Sequence, residues 1–485
     1  MELSEEAATY LESRAIPVEV AAANGVGTWN GNLCFEYKRN GLLQYRKVRF
    51  VDDHGVKSFG RDRKGAETCL FLEHLIEADA DLSSPLVVTE GEIDALSLAA
   101  CGIPNVISVP DGAQLDAEGE GKIDPTSDKA FSWLWQGADL KPHLQQFDRV
   151  ILATDNDKKG RVLRAELAVR FGTERCYWVK FPEGCKDAND VLVKHGGEAL
   201  VALIAAAKPI IPNKLVPFGD IPNLGTGELY SSGFKGLDEG LEYNMVIPSL
   251  TIATGDPGSG KSEFTTILAA NMANHHELPG AILQFEDATT RVRETLTTYA
   301  LSNVQGINNR GEAKIWIDKW FRTIEPQQGL EPGDDYTLDW LEARIKEART
   351  RHGCRWVLID PWNEVEHAFD KGVTEAAYTN NALRRIKRLS RAYQIAIFIV
   401  VHPSMAGGRL KEIEEKDGYM INGGAAWNNK ADHLFIIDRP DKSKPAMYCK
   451  LAKSKNHQLM GRPGIVRMEY RPASARFMYV GMGKG

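Results

Sequence analysis

The sequence predicts an α/β protein in two parts, each built on a mainly parallel sheet. Three observations lead there. Apolar runs of strand length alternate with helix-length segments on both sides of a Pro/Gly-rich seam at 208–232, the rhythm of parallel strands joined by crossover helices. Residues able to do chemistry fall at the ends of those runs, where an open α/β sheet opens its ligand crevice. The chain has 485 residues, 43% hydrophobic and 26% charged, an ordinary globular composition with length for about three domains.

Composition also narrows the function classes. A net charge of −7 excludes a uniformly basic nucleic-acid coat while leaving room for a local basic channel. The seven cysteines are dispersed, with no C-x-x-C pair. They build no zinc ribbon and suggest reduced thiols in a cytosolic compartment. No apolar run approaches a membrane span, and "MELSEEAATYLESR" lacks the parts of a signal peptide, so neither secretion nor a membrane partner is expected.

In chain order, residues 1–85 open with a short helix. Period-two alternation follows in "NLCFEYKRNGLLQYRKVRF", whose Lys38, Arg39, Arg46, Lys47 and Arg49 suit either NTP or single-strand phosphates or a solvated strand face. Residues 86–207 alternate strand and helix. There "PLVVTEG" releases Glu90 into a turn at Gly91, and "RVILATDND" releases Asp155 and Asp157. Hard oxygen donors at such strand ends suit Mg²⁺. Residues 208–232 are expected to be a linker, because clustered prolines cannot continue a helix.

Residues 233–485 carry a phosphate-binding loop in full, Gly255-Asp-Pro-Gly258-Ser259-Gly260-Lys261-Ser262. It follows an apolar strand and opens a helix, the context its chemistry needs. Backbone N–H groups there can curl round phosphates. Lys261 would reach the β- and γ-phosphates of ATP or another NTP, and Ser262 would ligate Mg²⁺. Asp360 ends the strand of "WVLIDPWN" and is placed to organise the metal. Pro361 stands where many ATPases have a catalytic glutamate. Glu286, after "AILQF", is therefore the better candidate base and Glu364 the weaker; the alternative for Glu286 is a helix-start acid. His402 follows "IAIFIVV", placed either to meet the γ-phosphate or to serve the fold.

In order and spacing, the phosphate loop, Glu286, Asp360 and His402 resemble the RecA-like core of DnaB-type hexameric helicases, most closely the phage primase–helicases and Twinkle. The resemblance runs over nearly the whole chain. It implies a replicative ring, hexameric or heptameric, that burns ATP between subunits and moves 5′→3′ on single-stranded or forked DNA, with a replication polymerase and single-strand-binding protein as further partners. It also implies a cation supplied by the neighbouring subunit. The matching stretch "LAKSKNHQLMGRPG" offers Lys453, Lys455, His457 and Arg462 where family members carry an arginine, and Lys455 or Arg462 is the expected finger. Lysine there would be a point charge rather than a planar fork. The long segment 403–432 resembles the loop lining the ring channel, with Arg409, Lys411, Gly423 and Gly424 as phosphate contacts.

Glu90 after one strand and Asp155-Asn156-Asp157 after a later one resemble a Toprim domain, whose three carboxylates bind Mg²⁺. "CKDANDVL" adds to that likeness. "AATYLESRAIPVEVAAANGVG" resembles the helix that follows the zinc ribbon of such primases, so the chain begins about where that ribbon would end. Template-directed priming is then expected to need a partner. Two alternatives stand beside the helicase reading. One is an active bifunctional primase–helicase; the other is an ATP-regulated DNA-binding ring or loader with the Toprim half as a docking module.

Overall fold

The computed structural model describes residues 1–51, 56–112, 131–136, 139–210, 227–285, 289–324, 336–365, 374–404, 412–422 and 424–483. The described residues form two compact units, 1–210 and 227–483.

The first unit opens with the helices Glu5–Ser13 and Val18–Ala23. Ser4 caps the first of these by accepting from the Ala7 amide at 3.3 Å, which satisfies one of the donors a helix start leaves open. Four antiparallel strands follow in sequence order: Val26–Trp29, Asn32–Arg39, Leu42–Val51 and Lys57–Arg61. The expected alternation is visible in them, with Phe35, Tyr37 and Tyr45 buried.

A second sheet of the same unit runs Lys208–Pro209, Cys176–Trp178, Val150–Ala153, Leu86–Thr89, Val106–Ser108. Its last four strands are parallel, as the strand–helix alternation requires. The central pair, Leu86–Thr89 and Val150–Ala153, is buried along its full length. Such strands can hold no charge along their length, so their carboxylates come just beyond the C-terminal ends.

The proline-rich seam is structured at both margins. Lys208–Pro209 pairs antiparallel with Tyr177 and Trp178 at the sheet edge, a position that tolerates proline because no ladder donor is needed on the outer side. Glu228–Ser231 pairs with Asn244–Ile247. The rest of the expected linker, 211–226, lies outside the described residues.

The second unit is organised by a nine-stranded sheet. Six parallel strands come first across it: Phe321–Thr323, Gly280–Gln284, Trp356–Asp360, Ala396–Val401, Ser249–Thr254 and His433–Asp438. Ala446–Ser454, Gly464–Arg471 and Arg476–Met482 extend it as antiparallel neighbours. Successive residues feed opposite faces. Trp356 and Leu358 pack with Phe264 and Phe435 on one side, while Val357 and Ile359 pack with Leu250 and Ile386 on the other. Helices cover both faces, which is why these strands read as unbroken apolar runs. Within the stretch read as a channel loop, the structure has a helix, Gly424–Lys430, and short 3₁₀ turns at Ile413–Glu415 and Gly418–Met420. Buried Trp427, Met420 and Ile421 anchor them, a pattern too short to stand out in sequence.

One glycine sets how closely a helix approaches the first unit's carboxylates. A Cβ on Gly160 would lie 2.1 Å from the Asp155 carbonyl oxygen, and Thr154 donates to the Gly160 carbonyl at 2.8 Å. Gly160→Ala is expected to cost about 1–3 kcal/mol, seen as a lowered urea midpoint for the first unit; an unmoved midpoint would show that the helix shifts freely.

Candidate functional site

In the second unit, Ser249–Thr254 is buried throughout and delivers the chain to Gly255 at φ 154°. A Cβ there would meet the Ile437 carbonyl oxygen at 2.0 Å, so only glycine lets the loop turn against the neighbouring strand. Gly260, at φ 94°, leads into the helix Lys261–His276, whose N-terminal amides face the loop. Lys261 is buried and donates to the carbonyls of Gly255 at 2.9 Å and Asp256 at 3.0 Å. These loop residues border a cavity of about 370 Å³ whose lining includes Gly258, Ser259, Gly260, Lys261, Ser262, Asp360 and His402. The buried Ser259 hydroxyl has no hydrogen-bond partner among the described residues, as a group awaiting a polar ligand would be.

Asp360 is 3% exposed and ends its strand in register with Gln284. The Phe285 amide donates to the Asp360 carbonyl at 3.0 Å. Glu286 is the next residue and lies outside the described ones. His402 is held by its backbone, whose amide donates to Asn363 Oδ1 at 2.9 Å. The phosphate loop, Asp360 and His402 thus meet at one cavity. Ser262 and Asp360 offer the oxygen donors Mg²⁺ requires.

Sequence reasoning missed the other wall of this cavity, formed by Arg291, Arg439, Met447, Tyr470 and Phe477. Tyr470 and Phe477, from adjacent antiparallel strands, have ring centroids 4.9 Å apart. Arg439 directly follows the strand His433–Asp438 and donates from Nε to the Lys444 carbonyl at 2.8 Å. The sequence carries a signal for it, since Arg439 comes one residue after the Asp438 that closes an apolar strand.

The first unit gathers carboxylates of its own. Oxygens of Asp94, Asp155 and Asp187 all lie within 4.8 Å of one another. Glu90 sits beside them, accepting from the Asp155 amide at 3.4 Å. Asp157 stands slightly apart because it caps the helix Lys158–Phe171, accepting from the Gly160 amide at 2.9 Å. The tightest grouping is therefore not the nominated trio of Glu90, Asp155 and Asp157. Asp94, four residues after Glu90, and Asp187, in the "KDAND" run, join Asp155 in it. Burial and the nearby Asp187 charge push the Asp94 carboxyl well above the usual range, and burial also raises Asp155. Burial works against ionised Asp157 too, but the Gly160 amide and Lys186 hold it below its ordinary value. Lys186 Nζ reaches Asp155 Oδ2 at 2.6 Å and Asp157 Oδ2 at 3.2 Å, placing an internal cation among the acids. An all-oxygen donor set of this kind fits Mg²⁺.

Known families match part of each half of the chain. The Toprim domain family matches residues 84–175, and the AAA domain family matches residues 241–408. The chain joins a Toprim domain to an AAA domain. It is 31% identical over 474 residues to the Twinkle homolog protein, chloroplastic/mitochondrial, of Arabidopsis thaliana, a match covering 90% of this chain and 63% of that protein. A second relative, the Primase homolog protein of Arabidopsis thaliana, is 34% identical over 182 residues, 36% of this chain and 50% of that protein. The chain thus spans between half and two thirds of the curated relatives it matches. Two solved structures are fainter likenesses. One, an ATPase domain, has a TM-score of 0.42 and 15% identity, covering 52% of this chain and 90% of that one. The other, a DnaB-like replicative helicase, has a TM-score of 0.41 and 16% identity, covering 60% and 72%. The expected α/β class, with a Toprim region followed by a P-loop ATPase, is the one observed. Among the described residues, no helix is long and apolar enough to cross a membrane.

Of the other expected site residues in the AAA domain, the described ones, Gly424, Lys455 and Arg462, do not line this cavity. Ser454 pairs with His433 at the start of the strand His433–Asp438, whereas the phosphate loop follows the C-terminal ends of the parallel strands. Lys455 is therefore at the opposite end of the sheet, its Nζ 3.7 Å from Asp432 Oδ1. Exposed Arg462 pairs with Glu242 at 3.2 Å. Neither reaches the phosphate loop of its own chain. Lys453 donates to the carbonyls of Asn428 and Asn429, which occupies its charge locally. Arg409, Lys411 and Gly423 lie outside the described residues. Gly424 is packed so that a Cβ would fall 2.5 Å from Tyr419 Cα, a fit that accounts for the glycine without a ligand.

In the Toprim domain, Lys186 and a divalent cation would seek the same oxygens. Lys186→Ala is expected to tighten Mn²⁺ binding about tenfold in an electron paramagnetic resonance titration, and Asp155→Asn to weaken it. Equal affinity in Lys186→Ala and the parent would show that the lysine does not compete.

Proposed function

We propose that this chain is an ATP-driven, ring-forming replicative DNA helicase that translocates on single-stranded DNA, with 5′→3′ travel implied by its resemblance to the phage primase–helicases and Twinkle. The single observation that carries the reading is the meeting of the phosphate loop, Asp360 and His402 at one cavity, while Lys455 and Arg462 stand at the far end of the sheet. Cations so placed can serve a nucleotide only on another copy of the chain, as in a ring that hydrolyses ATP between subunits.

In this reading ATP enters with its triphosphate along the loop. Lys261, which donates to the Gly255 and Asp256 carbonyls, turns to the β- and γ-phosphates, and the loop amides and the Ser259 hydroxyl take up further oxygens. Ser262 and Asp360 would hold Mg²⁺, which would supply positive charge against the phosphates. Arg439 and Tyr470 flank the base. Glu286 activates the attacking water, His402 contacts the γ-phosphate, and Lys455 or Arg462 of a neighbouring subunit stabilises the transferred charge. Residues 403–432 contact DNA phosphates through Arg409 and Lys411. A hexamer or heptamer follows from the same resemblance, and a cytoplasmic setting from the unpaired cysteines.

A second reading, primer synthesis by the Toprim domain, is favoured by the grouping of Asp94, Asp155 and Asp187. In it, carboxylate-held Mg²⁺ would meet NTP phosphates. Ribonucleotide incorporation on a single-stranded template, abolished by Asp155→Asn, would establish it.

Lys261→Ala is expected to lower DNA-stimulated ATP turnover by at least about a hundredfold with an unchanged circular dichroism melt; retained turnover would refute the site. Unwinding of a forked duplex, measured on the same preparation, separates a helicase from a loader, which would hydrolyse ATP without displacing a strand.

A further inference from the structure

Basic residues on the helix Glu375–Tyr393 fare differently along its length. Arg385 is matched by acids, donating to Glu342 Oε1 at 2.7 Å and pairing with Asp339. Lys387 reaches Asp432 Oδ1 at 2.7 Å. Arg391, one turn further on, is exposed and has no ion pair among the described residues. The helix ends just before the strand Ala396–Val401, so Arg391 is delivered to the end of the sheet where that strand begins. Lys455 stands at the same end, and both line a pocket of about 610 Å³ with Asn456, His457 and Met460.

Charge in this pocket does not balance. Among its described lining residues Asp432 is the one carboxylate, and it is already committed. Its Oδ2 accepts from the Leu250 amide at 3.0 Å, while its Oδ1 serves Lys387 at 2.7 Å and Lys455 at 3.7 Å. Burial holds Lys387 below the ordinary lysine value; Asp432 pulls it up, and the charges of Lys455 and Arg391 push it down further. Three cations therefore share one carboxylate, and they repel one another unless an anion joins them. The Lys455 amide donates to the Asp432 carbonyl at 2.9 Å, so the stem is anchored while the side chain stays mostly in solvent. Arg462 is drawn off by Glu242 and does not line this pocket.

We propose that Arg391 is a second trans-acting catalytic residue, which closes with Lys455 on the γ-phosphate of ATP bound to the neighbouring subunit. This role rests on the ring reading above, in which the phosphate loop of the same chain lies at the opposite end of the sheet. An ammonium is a compact point charge, whereas a guanidinium is a planar fork that donates two N–H groups to paired oxygens. A transferring phosphoryl group spreads its charge over three equatorial oxygens, more than one lysine can meet. In the hydrolysis, water's oxygen bonds to the γ-phosphorus as the bond to the β–γ bridging oxygen breaks, leaving ADP and phosphate, and water's proton passes to the base. Lys455 and Arg391 move no proton; they hold positive charge against the terminal oxygens. The neighbour's phosphates are also the anion that the pocket lacks.

The test is steady-state ATP turnover by the full chain, with and without an oligothymidylate. Arg391→Ala is expected to lower kcat about thirtyfold in both conditions, with KM for ATP within about threefold. Arg391→Lys recovers part of the loss, and the exposed position leaves the circular dichroism melt unchanged. The deciding arm co-expresses two variants, Arg391→Ala and Lys261→Ala, each nearly inactive alone. Their mixed rings regain about a quarter of parent turnover, the share of seams at which an intact phosphate loop meets an intact cation pair. No recovery in mixed rings places Arg391 in its own chain's site and overturns the proposal. Parent-like kcat in Arg391→Ala overturns it as well, while leaving Lys455 in its role. A loss confined to the DNA-stimulated reaction, with weakened oligothymidylate binding, overturns it in favour of a polynucleotide contact. Parent-like kcat in Lys455→Ala, or a single-subunit mass in the presence of ATP, overturns the ring reading itself, a failure distinct from that of Arg391 alone.

Discussion

A strand buried on both faces of a sheet has nowhere along its length to put a charge. Leu86–Thr89 and Val150–Ala153 in the first unit are wholly enclosed, as are Ser249–Thr254, Trp356–Asp360 and Ala396–Val401 in the second. Any charged group they carry must wait for the strand's end, and because the strands are parallel, those ends lie on one side. Glu90, Asp155, Gly255, Asp360 and His402 all stand at or just beyond such an end. Both sites follow from this constraint, although one gathers carboxylates and the other gathers amides and a lysine.

Concentrating charge this way creates a second requirement, because grouped acids and buried cations must be balanced before any ligand arrives. The structure meets it with lysines. Lys186 lies among the Toprim carboxylates, Lys416 between Asp256 and Asp438, and Lys261 on the carbonyls of its own loop. Each sits where a ligand's charge would change the balance. A metal ion would compete with Lys186, and a triphosphate would compete for Lys261. The groups that balance charge within the fold are thus the ones a ligand would rearrange.

Much of this could be read along the chain, and particular residues show where reading stopped. The phosphate loop was legible because its geometry is local: glycine positions, a lysine and a helix start lie within one short stretch. Glu90, Asp155 and Asp360 were legible because an apolar run ending in an acid announces a strand end. Asp94 and Asp187 carry no such local mark, since only the folded chain shows that they meet. There the Asn189 amide donates to Asp94 Oδ1 at 3.0 Å, across a large separation in sequence. Lys416 lies in an acidic stretch, and nothing local marks it as buried.

The amino-acid sequence by itself determined the α/β class, the two parallel sheets and the order of their strands' chemistry, because periodicity and turn residues act over a few neighbours. Only the tertiary structure decided which acids share a site, that Arg439 and Tyr470 wall the nucleotide cavity, and that Lys455 and Arg462 face away from it. Those outcomes depend on which strands become neighbours and in what register. That choice is made by burying both faces of each sheet at once, and no single segment carries the information for it.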